Sequence, residues 1–195
     1  MNDLIKKQIE ESISAKNNLL QSKELNKRIE DACKYCIRSL QSKGKLILLG
    51  NGGSASDSQH LAAEFITRLN FDRPSLAAIA LTTDTSVMTA ISNDYTYDQV
   101  FARQLGAIGK KEDVLLAFST SGNSPNVINA AKLANEMKIN VIGLTGEKIS
   151  KLHDHSDVIL NVPSSDTARI QEMHILIGHI ICTIVEKEFF EDLRP

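Results

Sequence analysis

The sequence predicts an α/β protein: a three-layer sandwich built on a five-stranded parallel sheet, preceded by a pair of helices. Three observations predict it. Five short apolar runs recur along the chain, and stretches of helical periodicity separate them. The runs are continuously apolar, not alternating, which is the pattern of strands covered on both faces. No linker, repeat or low-complexity segment divides the 195 residues, a length that suits one compact domain.

Residues 3 to about 42 read as two helices. Ile5, Ile9 and Ile13 recur at helical spacing, followed by Leu25, Ile29, Ala32, Cys36 and Leu40. An amphipathic pair lying outside a sheet must bury its stripe. The pair's own domain and a subunit interface are equally good places for it. On that ground residues 1–42 are set apart from an α/β core over 43–195. The strands are KLILLG (45–50), SLAAIAL (75–81), VLLAFST (114–120), NVIGLTG (140–146) and DVILNVP (157–163). Helical patterns over 56–69, 84–92, 97–109, 125–138 and a short 148–153 link them, by right-handed crossovers. A last helix spans about 167 to 190. Its apolar run, MHILIGHIICTIV (173–185), is too short to cross a bilayer and holds two histidines, so it is expected inside the protein.

The formal net charge is −2, with no basic excess to neutralise a nucleic-acid backbone. The three cysteines, Cys33, Cys36 and Cys182, are too few and too odd in number for a disulfide framework. Cys33 and Cys36 form a lone CxxC within a helical pattern and read as small helix residues. The amphipathic, charged N-terminus is unlike a signal peptide. A cytoplasmic protein without nucleic-acid or membrane partners is expected.

In open parallel sheets ligands bind at the carboxyl ends of the strands. Two loops stand out there. GNGGSAS comprises Gly50, Asn51, Gly52, Gly53, Ser54, Ala55 and Ser56. Its glycines let the backbone approach a ligand, and Ser54 or Ser56 can cap the following helix, whose N–H groups suit an anion. The stretch also fits G-x-G-x-x-A. A dinucleotide site, however, wants an acid at the end of the second strand, and that strand ends ALTT, with Asp84 only later in a capping position. STSGNSP comprises Ser119, Thr120, Ser121, Gly122, Asn123, Ser124 and Pro125. Ser124 followed by Pro125 reads as an N-cap with proline in the first turn. Four hydroxyls around one glycine suit a phosphate monoester without any lysine or arginine. Together the loops point to a small, phosphorylated, polyhydroxylated ligand.

His60, Glu64 and Arg68 are spaced four apart and line one helix face, beside an apolar stripe of Leu61, Phe65 and Leu69. On the last helix Gln171 and His179 lie about 80° apart around the axis, and Cys182, Gly178 and Ile175 share that face. Buried polar groups need partners, and a His60/Glu64 pair on a neighbouring helix would supply them. His153 and His155 read as exposed loop residues.

These residues carry a family resemblance. GNGGSASDSQHLAAEF, TAISND (89–94), FSTSGNSPNV and ARIQEMH…GH occur in the order found in sugar isomerase (SIS) domain proteins. The chain resembles, within them, the phosphoheptose isomerases, over nearly its whole length. The resemblance implies a flavodoxin-like parallel sandwich, a homotetramer with active sites shared between subunits, and interconversion of sedoheptulose 7-phosphate and D-glycero-D-manno-heptose 7-phosphate for lipopolysaccharide or capsule. It implies substrate contacts from Asn51, Gly52, Gly53, Asn93, Asp94, Ser119, Thr120, Ser121 and Ser124. It implies one zinc per subunit on His60, Glu64, Gln171 and His179, with Glu64 and Gln171 touching substrate as well. Glutamine is an unusual donor for zinc.

A ketose–aldose exchange moves a proton between adjacent carbons through an enediol and needs a base near carbon and an acid near oxygen. Glu64 is the expected base and His179 the expected acid. Asp94 would help open the ring form or hold a hydroxyl. The rival reading is a non-catalytic phosphosugar sensor, or an adaptor like the SIS proteins that bind the bacterial replication initiator. The latter resemble this chain but lack the counterparts of Glu64 and His179. A dinucleotide oxidoreductase is a third reading, on the weak glycine match alone.

Overall fold

The computed structural model describes residues 1–193; the last two residues of the expected 43–195 core lie outside the described residues. Two helices, α1 (Asn2–Gln21) and α2 (Lys23–Gln41), come first. Ser22 separates them, and its hydroxyl caps α2 by accepting the Leu25 N–H at 3.2 Å. Strands and helices then alternate: β1 (Leu46–Gly50), α3 (Gly53–Ile66), β2 (Ala78–Ala80), α4 (Thr85–Asp94), α5 (Val100–Ile108), β3 (Val114–Phe118), α6 (Pro125–Glu136), β4 (Asn140–Thr145), β5 (Val158–Asn161) and α7 (Thr167–Phe190). Short 3-10 turns occupy Tyr97–Gln99, Lys151–His155 and Glu191–Leu193. Asp84 caps α4 through the Val87 N–H, as its position in the sequence suggests.

All strand pairs are parallel, in the order β2-β1-β3-β4-β5. This is the flavodoxin-like doubly wound order, whose direction of winding reverses between β1 and β3. Every residue of β1 and β3 is buried. Alternate side chains pass to opposite faces. Leu46, Leu48, Leu116 and Phe118 join the core beneath α2, α3 and α7, with Phe65 and Ile177. Ile47, Leu49, Leu115 and Ala117 join the second core beneath α5 and α6, with Phe101 and Val127. Two cores on one sheet make the three layers. β2 is shorter than the 75–81 run because it is an edge strand, paired with β1 over three residues only.

Two expectations are corrected. The helix expected at 148–153 is a 3-10 turn at Lys151–His155, and His153 and His155 are half-buried in it. The His153 Nδ1 accepts the Ser150 N–H at 3.2 Å, which closes a capping box. Second, α7 with its 3-10 tail is long and apolar enough to cross a membrane by length and composition. The length argument from 173–185 therefore fails. What speaks for an interior helix is packing: α7 contacts α1, α2 and α3 and buries Glu186 against Arg73 at 3.0 Å. Of the two places open to the N-terminal stripe, its first half does not take the domain's own: α1 buries only Ala15 and Leu19. Ile5, Ile9 and Ile13 remain 52–55% exposed, so the chain's own fold does not cover that stripe.

Candidate active site

The loops after β1 and β3 flank the reversal point, where a doubly wound sheet opens its crevice. The first turns sharply: Gly52, at φ 57°, is the N-cap of α3. That backbone angle is easy only for glycine. The expected caps, Ser54 and Ser56, lie inside the helix, which starts at Gly53 and not at 56. The turn is closed by main chain instead, with the Ser54 N–H donating to the Asn51 carbonyl at 3.0 Å.

Asn51 is clasped. Its amide donates to Asn126 Oδ1 at 2.8 Å and accepts from Asn126 Nδ2 at 2.9 Å, so two side chains 75 positions apart form a reciprocal pair. The Tyr97 hydroxyl adds a third bond, to Asn51 Oδ1 at 3.0 Å. Tyr97 follows α4, whose last residues, Asn93 and Asp94, are exposed and bonded to each other at 2.8 Å.

In the second loop Ser124 occupies the N-cap of α6 with Pro125 in the first turn, as expected, but its hydroxyl does not cap. It pairs with the Ser119 hydroxyl at 3.0 Å. Gly122, at φ 64°, bends the loop, and Ser150 packs against it. Ser119 is buried, Thr120 and Ser124 half-buried and Ser121 exposed, so hydroxyls line the path from the sheet edge outward. Beside Thr120 and Ser121 lies a cavity of about 310 Å³ that also reaches Lys148, Ser165 and Thr167.

α3 and α7 pack side by side and carry the acid–base residues. His60 Nε2 and His179 Nε2 lie 2.9 Å apart, with the rings edge to face at 78°. His60 Nε2 also lies 3.4 Å from Glu64 Oε1. His60, Glu64 and His179 each offer one donor atom within 4.8 Å of the others, a group able to hold a metal. The fit can be tested. Zinc–nitrogen bonds of about 2.0–2.1 Å put two donors of a tetrahedral site roughly 3.4 Å apart. The Glu64–His60 spacing matches this, and the two imidazoles would open by about half an ångström. Nitrogen and carboxylate donors suit zinc by type.

Gln171 sits two turns earlier on α7, about 12 Å along the axis from His179. Its amide lies against Gly53, where an added Cβ would meet Nε2 at 2.6 Å. In this structure the amide therefore faces the start of α3, at the glycine loop. Arg68 leaves the polar stripe, since α3 ends at Ile66 and Arg68 lies beyond it. One turn before His60, Asp57 has a buried carboxylate oxygen without a partner among the described residues. Burial raises its pKa, and nearby His60 opposes the rise. Asn126, Tyr97, Lys148 and Asp57 were not read as site residues from the sequence; of these, Asp57 falls in the quoted motif GNGGSASDSQHLAAEF and Asn126 in FSTSGNSPNV.

Fold and site define a doubly wound α/β protein with a hydroxyl-rich loop beside a His/Glu/His group. The family model described as SIS domain matches residues 12–146. The chain belongs to the SIS domain family. It is 50% identical over 192 residues to the phosphoheptose isomerase of Sulfurimonas denitrificans, covering 98% of each chain. Among solved structures it resembles the phosphoheptose isomerase of Neisseria gonorrhoeae, with TM-score 0.89, 44% identity, and coverage of 95% of this chain and 98% of that one. It also resembles the phosphoheptose isomerase of Francisella tularensis, with TM-score 0.90, 37% identity, and coverage of 95% and 97%.

Proposed function

We propose that this chain is an aldose–ketose isomerase that converts sedoheptulose 7-phosphate to D-glycero-D-manno-heptose 7-phosphate, the first step of bacterial heptose synthesis for lipopolysaccharide or capsule. The observation that carries the reading is the meeting of Glu64 and His179, from two helices, around His60. The relatives named phosphoheptose isomerase, matched along nearly the whole chain, support it.

In this reading the hydroxyls of Ser119, Thr120, Ser121 and Ser124 hold the phosphate. Asn51, Gly52, Gly53, Asn93, Asp94 and Gln171 hold the sugar. Glu64 removes the proton from the carbon beside the carbonyl, and His179 hands a proton to the oxygen as the double bond shifts. The proton then returns from Glu64 to the neighbouring carbon while the adjacent hydroxyl gives its own proton back to His179, and the carbonyl moves by one position. His60, hydrogen-bonded to His179 and beside Glu64, orients them. Zinc suits His60, Glu64 and His179, with Gln171 as a fourth donor if its amide swings from Gly53; bound there it would polarise the two sugar oxygens, but a His179 nitrogen held by the ion could not hand over a proton at the same moment, so the two roles would alternate. The exposed α1 stripe fits self-association, as a homotetramer, and the protein is read as cytoplasmic.

The test is conversion of sedoheptulose 7-phosphate by purified protein. Glu64→Gln and His179→Asn are each expected to lower kcat by about 10²–10⁴-fold, the usual worth of general acid–base catalysis. Wild-type protein that binds the ketose phosphate without turning it over would make this a sensor and end the isomerase reading. A calorimetric zinc titration should show one ion per chain, lost in His60→Ala. Full turnover by a verified metal-free sample would exclude an essential metal.

A further inference from the structure

His174 is fully buried on α7, three residues after Gln171, and the proposed chemistry does not use it. Its Nε2 lies 3.2 Å from the Thr145 carbonyl oxygen. A carbonyl only accepts, so Nε2 carries the hydrogen and donates. Nδ1 is left with a lone pair and no partner among the described residues. Burial pushes the ring's pKa down to about 4 against the opposing Thr145 bond, so the ring is neutral near pH 7. A buried imidazole with one nitrogen unpaired is a poor filler, because an aliphatic side chain would fill the space without leaving a polar atom stranded. What histidine adds there is the donated bond.

That bond reaches the hydroxyl-rich loop in two steps. The Thr145 carbonyl and the Gly146 N–H are opposite ends of one planar peptide unit. The Gly146 N–H donates to the Thr120 carbonyl at 3.0 Å. The Thr145 carbonyl also accepts the Val162 N–H at 2.9 Å, and His174 occupies its second lone pair. The Thr145 hydroxyl donates to the Gly146 carbonyl at 3.0 Å and fixes the next peptide. Bonds in such a chain polarise one another. The approach is close: a Cβ on Gly146 would meet the Thr120 carbonyl oxygen at 3.1 Å. The imidazole also packs edge-on against Phe118, with centroids 6.0 Å apart, and Phe118 immediately precedes Ser119. One buried ring thus braces the strand that enters the loop and the peptide from which the loop's second residue hangs.

We propose that His174 is a positioning residue for the loop Ser119–Ser124: its Nε2–H, acting through the Thr145–Gly146 peptide, sets Thr120 and the hydroxyls that receive the substrate's phosphate. The proposal rests on reading that loop as the phosphate site.

Three variants test it, with kcat and KM normalised to the folded fraction and with the Kd of inorganic phosphate measured by calorimetry. His174→Leu fills the space and cannot donate. It should raise both KM and the phosphate Kd about three- to tenfold, the worth of one neutral hydrogen bond, with kcat within about twofold of wild type. His174→Gln carries an amide N–H long enough to reach Thr145 and should restore both. His174→Asn is shorter and should behave like His174→Leu, which keeps the test open if the leucine variant does not fold. Unchanged phosphate affinity in the non-donating variants, a glutamine variant as impaired as they are, or wild-type protein that binds no phosphate would each overturn the proposal. Phosphate binding needs no turnover. A protein that isomerises nothing yet shows this affinity pattern would sink the isomerase reading and leave the positioning role standing.

Discussion

Glu186 is a carboxylate with almost no exposure to water, and four donors hold it: the N–H groups of Leu69 and Asn70, the Asn70 amide and the Arg73 guanidinium. Burial alone would raise its pKa, but the donors outweigh burial and hold it below the usual carboxylate range. Removing one partner of a buried pair strands the other charge. Arg73→Ala should therefore cost about 3–5 kcal/mol, read as a fall of roughly 10 °C in a thermal melt. Gly53 gives a prediction of a different kind. The atom that a Cβ would meet there is the end of the flexible Gln171 side chain. Gly53→Ala should leave the melting temperature within about 2 °C and shift Gln171 instead, raising KM for the sugar phosphate several-fold. An unchanged KM would remove Gln171 from the substrate's path.

Among the elements, α1 presents Ile5, Ile9 and Ile13 to solvent at one helical spacing. If a second copy covers that stripe, Ile9→Asp should reduce the particle size in light scattering while the helical circular dichroism signal stays. The central strands β1, β3 and β4 were legible in the sequence because burial on both faces makes them apolar throughout, and α7 because its run from Met173 to Val185 is apolar nearly all round; its start is fixed by Asp166, which accepts the Arg169 N–H. The start of α3 was misread by three residues because its cap is a backbone angle at Gly52, which no side chain announces. The polar stripe was extended one residue too far because His60, Glu64 and Arg68 keep helical spacing although the helix stops at Ile66. The Asn51–Asn126 pair joins residues 75 positions apart, and neither asparagine marks the other in the sequence. The sequence paired His179 with His60 and Glu64 but marked nothing about His174. Only the fold shows that His174 faces Thr145, while His179 faces His60 as the sequence led one to expect.

The whole molecule should register His174 in its pH dependence. The ordinary imidazole value is 6.5 and the folded one is depressed to about 4. As pH falls through that interval the unfolded chain takes up a proton that the native state refuses, so stability drops from about pH 6.5 down to about pH 4, by up to about 3 kcal/mol. Urea unfolding across that range should show the decline, and His174→Leu should flatten it. Glu186 acts lower: its contribution is complete above the unfolded value of 4.5 and is lost as pH falls through the lower native one. The Asn51–Asn126 clasp has a consequence for the molecule as a receptor. It ties the first loop to the first turn of α6, directly after the second loop, using only the protein's own side chains, which lowers the ordering that capture demands. Two loops tied together in this way respond to an incoming guest as one jaw, not two.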